Sequence, residues 1–230
     1  VTKYLFNRQK VTPGKSVTPP SEAAIKATPG LWHADLDDAI RYGGDVTRHV
    51  LAHMNLRGDR RHVIVDVKVH MLLPGFMPAI PGWHTDGVPR WDGSRWTPES
   101  GEPSLAEQEA WEDAGEPVAP RFHLYVSGSG CLTRFMTEEL PLDVPDDIGT
   151  NLYAYISGQV GEKPVQRVQT FPGRVIEWDW WNLHTAAKAE KREWRYLCRV
   201  TETDHVEPQT DLRQILRTQE QVYVPTEFGW

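Results

Sequence analysis

The spacing of apolar and polar residues along the chain changes period near residue 62. From Asp35 to Met54 apolar residues recur at helical intervals, and Gly43-Gly44 divides the run, so two short helices are predicted, the second capped by Asp45. In HVIVDVKVHMLL, residues 62–73, β-branched residues instead alternate with polar ones, the mark of a long strand with one face on a core. Further strands are predicted at 121–128 (RFHLYVSG), 131–136 (CLTRFM), 165–171 (VQRVQTF), 174–180 (RVIEWDW) and 194–203 (WRYLCRVTET), with turn signals such as Ser-Gly-Ser-Gly and Pro172-Gly173 between them. The first 30 residues, rich in Pro, Thr and Gly from residue 11 on, read as an extended arm, and 31–61 as a helical preface. Many short strands after helices favour a mainly β sandwich or barrel over a parallel α/β sheet. Residues 88–120 form an insertion in which Ser104-Leu-Ala-Glu107 is a capping box, so a helix should run from there to about Gly115. Thr210-Asp211 can start a last helix through about Gln219, within a C-terminal extension, 204–230.

The 230 residues suffice for one domain with a real core, and ten tryptophans point to a thick aromatic core or a lined cavity. The net charge of −7 is local. Between Thr97 and Pro120 stand Glu99, Glu102, Glu107, Glu109, Glu112, Asp113 and Glu116 with no Lys or Arg, so the remainder balances near zero, and charge neither supports nor excludes a nucleic-acid partner. Cys131 and Cys198 lack CxxC spacing and suit a reducing compartment. No secretory pattern and no run of eighteen apolar residues is present, and the expected location is cytoplasmic, without a membrane partner.

Chemistry concentrates in IPGWHTDGV, residues 80–88. If 82–87 is extended, His84 and Asp86 project from one face while Trp83 and Thr85 take the other. An HxD alone is commonly a hydrogen-bonded pair in a surface turn. A second histidine, His184, follows the strand EWDWW, and a barrel brings such distant segments to one interior point. Two imidazoles and one carboxylate on one side of a cation leave three positions open for a bidentate co-substrate and dioxygen, as in the facial triad of non-haem Fe(II) oxygenases. Arg195 and Arg199 share one face of the last long strand, and a planar guanidinium there suits a two-pronged grip on a carboxylate; pairing with surface acids is the plainer role for either.

His84-Thr85-Asp86, the strand Gly173 to Asp179 (GRVIEWD), His184 and Arg195 eleven residues later resemble the iron(II)/2-oxoglutarate-dependent oxygenase superfamily, including its phytanoyl-CoA-dioxygenase-like branches. The resemblance covers about residues 62–203. It implies a double-stranded β-helix (a jelly roll, cupin-like) with helices flanking the barrel, and oxidative decarboxylation of 2-oxoglutarate to succinate and CO2 coupled to oxidation of an unidentified substrate. It further implies Fe(II) on His84, Asp86 and His184, and 2-oxoglutarate on Arg195, with Arg192 and Arg199 as alternatives. A cupin-like metalloenzyme using no 2-oxoglutarate, and a jelly-roll binding or structural module, are the competing readings.

Other residues extend or limit this picture. His123 and Tyr125 share one face of RFHLYV; if that face lines the interior, both are candidates for contacts with the co-substrate. Trp178, Trp180 and Trp181 suit a dry wall, or simple packing. His49 and His53 have metal-ligand spacing, but HVLAH lacks the glutamate of HExxH and reads as an ordinary helix face. The insertion starts just after Asp86, so Arg90, Trp91, Arg95 and Trp96 could meet substrate and the acidic helix could be a lid; such a lid predicts that deleting 97–118 cripples turnover and leaves metal affinity nearly intact.

Overall fold

Two long strands anchor the molecule in the computed structural model, which describes residues 1–87, 104–115, 119–161, 168–204, 206–217 and 222–224. In chain order the strands are β1 Thr2–Phe6, β2 Thr12–Ser16, β3 Gly30–Asp35, β4 His62–Leu72, β5 Arg121–Val126, β6 Arg134–Met136, β7 Leu140–Val144, β8 Val168–Gln169, β9 Arg174–Trp178, β10 His184–Thr185, β11 Glu193–Thr203 and β12 Leu216–Arg217. The helices are α1 Glu22–Lys26, α2 Leu36–Tyr42, α3 Gly44–Leu51, α4 Leu105–Asp113, α5 Leu152–Gly161 and α6 Leu212–Ile215. β4 and β11 pair antiparallel along their whole length, from Glu193 opposite Leu72 to Thr203 opposite His62. They lie inside a seven-stranded sheet of order β12-β3-β4-β11-β5-β9-β2. A second sheet has the order β10-β6-β8, and β1 pairs with β7.

The alternation in β4, β5, β9 and β11 sorts side chains onto two faces and so makes two cores. On one face Val65, Val67, Tyr125, Val175, Tyr196, Cys198 and Val200 pack against Ile25 of α1, Ala39 of α2 and Val46, Val50 and Leu51 of α3. On the other, Phe122, Leu124, Val126, Ile176 and Trp178 meet Phe135, Met136, Leu140, Leu142 and the Tyr153 and Ile156 of α5. Each fully buried Val, Leu, Ile or Phe contributes roughly 1.5–3 kcal/mol by leaving water, so these clusters carry most of the driving force. The architecture is mainly β and antiparallel, with α1, α2 and α3 over one face of the large sheet and α5 packed into the core on the other. The large sheet ends in edges at β12 and β2 rather than closing hydrogen bond by hydrogen bond into a barrel. No helix among the described residues is long and apolar enough to cross a membrane.

Several predicted elements take a different form. Within the extended arm, β1 joins β7 and β2 joins β9 at sheet edges, where Pro13 lacks no required hydrogen bond. The helical preface contains β3, which lies beside β4 with a register shift between Leu31 and Ala34 and a positive φ of 50° at His33. Asp45 does not cap α3: the cap position is Gly43, and Asp45 lies in the first turn paired with Arg48. α4 forms as predicted, with both halves of the Ser104/Glu107 capping box present. β6 is shorter than expected, because Cys131 to Thr133 remain in the preceding loop. Only 168–169 of the 165–171 strand form β8, and residues 165–167 lie outside the described residues. β7 and α5 had no counterpart in the pattern reading: Pro141 masks the alternation of LPLDV, and LYAYISGQVG is apolar nearly all round. The last helix is one turn, α6, capped by Asp211.

Candidate metal centre

His84 and His184 meet through the backbone. The His84 amide donates to the His184 carbonyl at 3.0 Å, and the His184 amide returns the bond to the His84 carbonyl at 2.9 Å. Residues directly opposite in an antiparallel pair turn their side chains to the same face, so the rings come together, with centroids 4.4 Å apart. Asp86, two residues on from His84, falls on that face too. The backbone of the intervening positions is bonded to α5: the Tyr153 hydroxyl donates to the Thr85 carbonyl at 2.6 Å, and the Trp83 amide donates to Ser157 Oγ at 2.6 Å. Gly87 then allows the chain to turn at φ 89° beside Trp180, where a Cβ would lie 3.0 Å from the Trp180 Cβ.

The hydrogens on the rings are set by their carbonyl partners. His84 Nδ1 lies 3.0 Å from the Gly82 carbonyl and His184 Nδ1 lies 3.1 Å from that of Asn182. A carbonyl only accepts, so each Nδ1 carries the proton, and a neutral ring presents its Nε2 lone pair. Ligand atoms of His84, Asp86 and His184, all three buried, lie within 4.8 Å of one another. Asp86 Oδ2 is 3.4 Å from His184 Nε2, so two electron-pair donors confront each other unless a cation, a proton or a metal ion, lies between them. Two imidazole nitrogens and a carboxylate oxygen fit a divalent first-row metal, with Nδ1–H to carbonyl bonds of the kind that hold metal-bound histidines in place.

Arg199 completes the electrostatics. Its Nη1 donates to Asp86 Oδ1 at 3.2 Å and its Nη2 to Asp66 Oδ2 at 3.2 Å, while Asp66 Oδ1 accepts the His33 amide at 2.9 Å. The guanidinium offsets the desolvation of two buried carboxylates and fixes the direction of the second oxygen of Asp86. Arg199 does pair with acids, but one of them is the candidate ligand.

The loop ahead of His184 is held from several sides. Asp179 Oδ1 accepts the Trp181 amide at 2.9 Å, and the Asp179 amide donates to Asn182 Oδ1 at 3.0 Å. Burial, reinforced by nearby Glu112 against the opposing backbone amides and Arg8, raises the Asp179 carboxyl to about 6. Asn7, at φ 57°, accepts the Leu183 amide on its side-chain oxygen at 2.8 Å and donates its own amide to the Trp181 carbonyl at 2.9 Å. Aromatic rings wall the histidines: Phe135 and Trp178 at 5.5 and 5.6 Å from the His184 ring, and Tyr153 at 5.6 Å from that of His84. Trp178 thus faces the triad, whereas Trp180 and Trp181 turn their indole N–H groups to Glu112.

The remaining predicted residues divide. Arg195 is 2% exposed, on the same face of β11 as Arg199, opposite His70 of β4. Its Nε donates to the Cys131 carbonyl at 2.9 Å, its buried Nη1 has no hydrogen-bond partner among the described residues, and burial lowers its pKa. Arg192 is exposed. His123 and Tyr125 are not brought to the triad, because the β5 register turns them to the opposite face from Leu124, which pairs with Arg199. His123 Nε2 lies 2.9 Å from Glu202, and Tyr125 packs beside Tyr196 in the helix-covered core. His49 and His53 sit on α3 and just beyond it, with His53 Nδ1 on the His49 carbonyl at 2.8 Å. Arg90, Trp91, Arg95 and Trp96 lie outside the described residues. Asp66 and His70 stand beside the predicted residues, and polar residues alternating with Val65, Val67 and Val69 in a buried strand are the local signal for them. Asn7, Gln108 and Glu112 join the surroundings of the site only through tertiary contacts, and no local signal marks them.

Comparison of the chain with protein-family models, curated protein sequences and solved structures gives no match.

Proposed function

We propose that the chain is a non-haem Fe(II)- and 2-oxoglutarate-dependent dioxygenase built on a double-stranded β-helix. The observation that carries this reading is the buried triad of His84, Asp86 and His184, with both Nδ1 atoms engaged by carbonyls and the Nε2 side turned inward. Strand order supports the fold. The sequence β4-β11-β5-β9 in the large sheet faces the His84 bridge, β10, β6 and β8 in the smaller one, and the chain passes back and forth between the two layers except at β6 and β8, which pair within the smaller one, much as in a jelly roll.

When bound, Fe(II) would supply dioxygen activation, with 2-oxoglutarate as the two-electron co-reductant that leaves as succinate and CO2. The protein's own residues provide the rest. Arg199 donates to one oxygen of Asp86 and so directs the other toward His184. Arg195, a buried guanidinium whose Nη1 has no hydrogen-bond partner among the described residues, suits the far carboxylate of the co-substrate. Phe135, Trp178 and Tyr153 keep water from the site.

The test is anaerobic addition of Fe(II) and then 2-oxoglutarate, read in the visible range. A weak charge-transfer band that requires both, and that disappears in His84→Ala and Asp86→Ala, is expected. Arg195→Ala should retain Fe(II) and raise the 2-oxoglutarate needed for half-development of the band by about 10- to 100-fold, the loss of roughly 1.5–3 kcal/mol for a charge-assisted hydrogen bond. Fe(II) binding with no band at any 2-oxoglutarate concentration would replace this reading with a metalloenzyme of another reaction.

A further inference from the structure

α4 touches both segments that carry the triad. Gln108, fully buried, donates its Nε2 to the carbonyl of Gly87 at 2.8 Å, one residue beyond Asp86. One turn later on the same helix, a single oxygen of Glu112, Oε1, accepts the indole N–H groups of Trp180 at 2.8 Å and Trp181 at 2.7 Å, just upstream of His184. The other oxygen of Glu112 accepts from Arg8 Nη1 at 2.7 Å, and Arg8 also pairs with Glu109 and lies 3.8 Å over the Trp181 ring. Leu105 is buried in the core and Trp111 stacks on Trp180 with ring centroids 6.3 Å apart. A helix that served only as an acidic, solvated loop would have none of these bonds.

We infer that α4 is a clasp for the metal centre: Gln108 and Glu112 are positioning residues that fix the separation of the His84/Asp86 segment from the His184 loop, and Arg8 locks the clasp from the N-terminal arm. The inference rests on the metal reading of the triad. Its physical basis is that the two ligand segments meet at the reciprocal backbone pair between His84 and His184, while the residues flanking that meeting point, Gly87 on one segment and Trp180 and Trp181 on the other, are bonded to one and the same helix. Bonds one residue after Asp86 and three to four residues before His184 therefore tie the spacing of the two segments to the rigid span of α4. Where a lid would leave metal affinity nearly intact, a clasp makes it depend on residues that never touch the ion.

The experiment titrates the whole chain, stripped of metal, with Co(II) alone, reading affinity by calorimetry and ligand geometry by the visible ligand-field bands. Glu112→Ala is expected to weaken Co(II) binding by about 10- to 100-fold and to alter the bands, at a temperature where its far-ultraviolet circular dichroism matches the parent. Glu112→Gln, which keeps an oxygen for both indoles, should restore most of the affinity. Gln108→Ala tests the other end of the clasp and should act in the same direction, so the test stands even if Glu112→Ala does not fold. Unchanged affinity and bands in the folded variants overturn the clasp. A parent chain that binds no Co(II) overturns the metal reading itself, and with it this inference, so the two failures are told apart by the first titration.

Discussion

Two buried clusters in this molecule contain a histidine, a carboxylate and an arginine, and they do opposite things with their hydrogen bonds. At one, Glu202 accepts from Arg121 Nη1 and His123 Nε2, each at 2.9 Å, on one oxygen, and from the amides of Arg57 at 2.8 Å and Gly58 at 3.1 Å on the other. Arg121 continues to Asp59 at 3.0 and 3.1 Å. Donors and acceptors alternate without a mismatch. Burial alone would raise the Glu202 carboxyl, but the donations from His123, Arg121 and the two amides outweigh it and bring it down to about 2. At the other, Arg199 satisfies one oxygen of Asp86, while the second faces His184 Nε2 at 3.4 Å across a ring whose Nδ1 hydrogen is committed to a carbonyl. The first cluster is closed by its own donors; in the second, imidazole and carboxylate ligand atoms converge within 4.8 Å, an arrangement a cation can bridge. Residue composition does not separate them. The direction of the ring N–H does.

The sharpest way to break this contrast is to exchange the losses. His184→Ala should weaken Co(II) or Fe(II) binding by more than about 100-fold, beyond what loss of a supporting partner produces. His123→Ala should leave metal affinity unchanged and lower unfolding free energy by about 1–3 kcal/mol, as one partner of a buried bond is removed. Calorimetry and urea unfolding on both variants check the pair; metal loss in His123→Ala would contradict the division.

Next in size is Glu202→Ala, which strands Arg121 and His123 and should reduce stability by about 3–5 kcal/mol in urea unfolding. The sign of its pH dependence follows from the lowered pKa. The folded state binds a proton at Glu202 less readily than the unfolded chain, so this contribution is fully present above the ordinary value of 4.5 and is lost as pH falls from there through about 2. The variant should lack that acid-side slope.

Smallest is Asp179→Asn, in the loop ahead of His184. Here the carboxyl is raised to about 6 from an ordinary 3.8, so the folded state prefers the proton: the group is least destabilising below 3.8, and its burden grows as pH rises to about 6 and is constant above. Asparagine keeps an oxygen for the Trp181 amide and removes the charge. It should stabilise the chain at pH 7 by on the order of 1–3 kcal/mol, with no gain at pH 3.5, as read from thermal unfolding at the two pH values.

Legibility from the sequence followed the range of the interaction. β4, β5, β9 and β11 were readable because alternation with period two is local to each strand, and α4 was readable because a capping box lies within four residues. His84 and Asp86 were readable as a pair for the same reason. α5, β1 and β7 were not: a run as apolar as LYAYISGQVG has no clear period, and β1 becomes a strand only when β7 is beside it. His123 and Tyr125 were correctly placed on one face together, but which face looks toward the triad depends on how the sheet is covered, and α1, α2 and α3 cover theirs.

The sequence by itself determined the mainly β character, the long central strands, the capped helix in the acidic insertion and the residue types for a two-histidine, one-carboxylate site, because propensity, alternation and ligand chemistry are properties of short stretches. Only the tertiary structure decided that His184 pairs with His84, that Arg199 rather than an unrelated cation grips Asp86, and that an acidic helix joins the two ligand segments through Gln108 and Glu112. Those outcomes depend on register and packing between segments a hundred or more residues apart in places, which are settled by the burial of both faces of the central sheet at once.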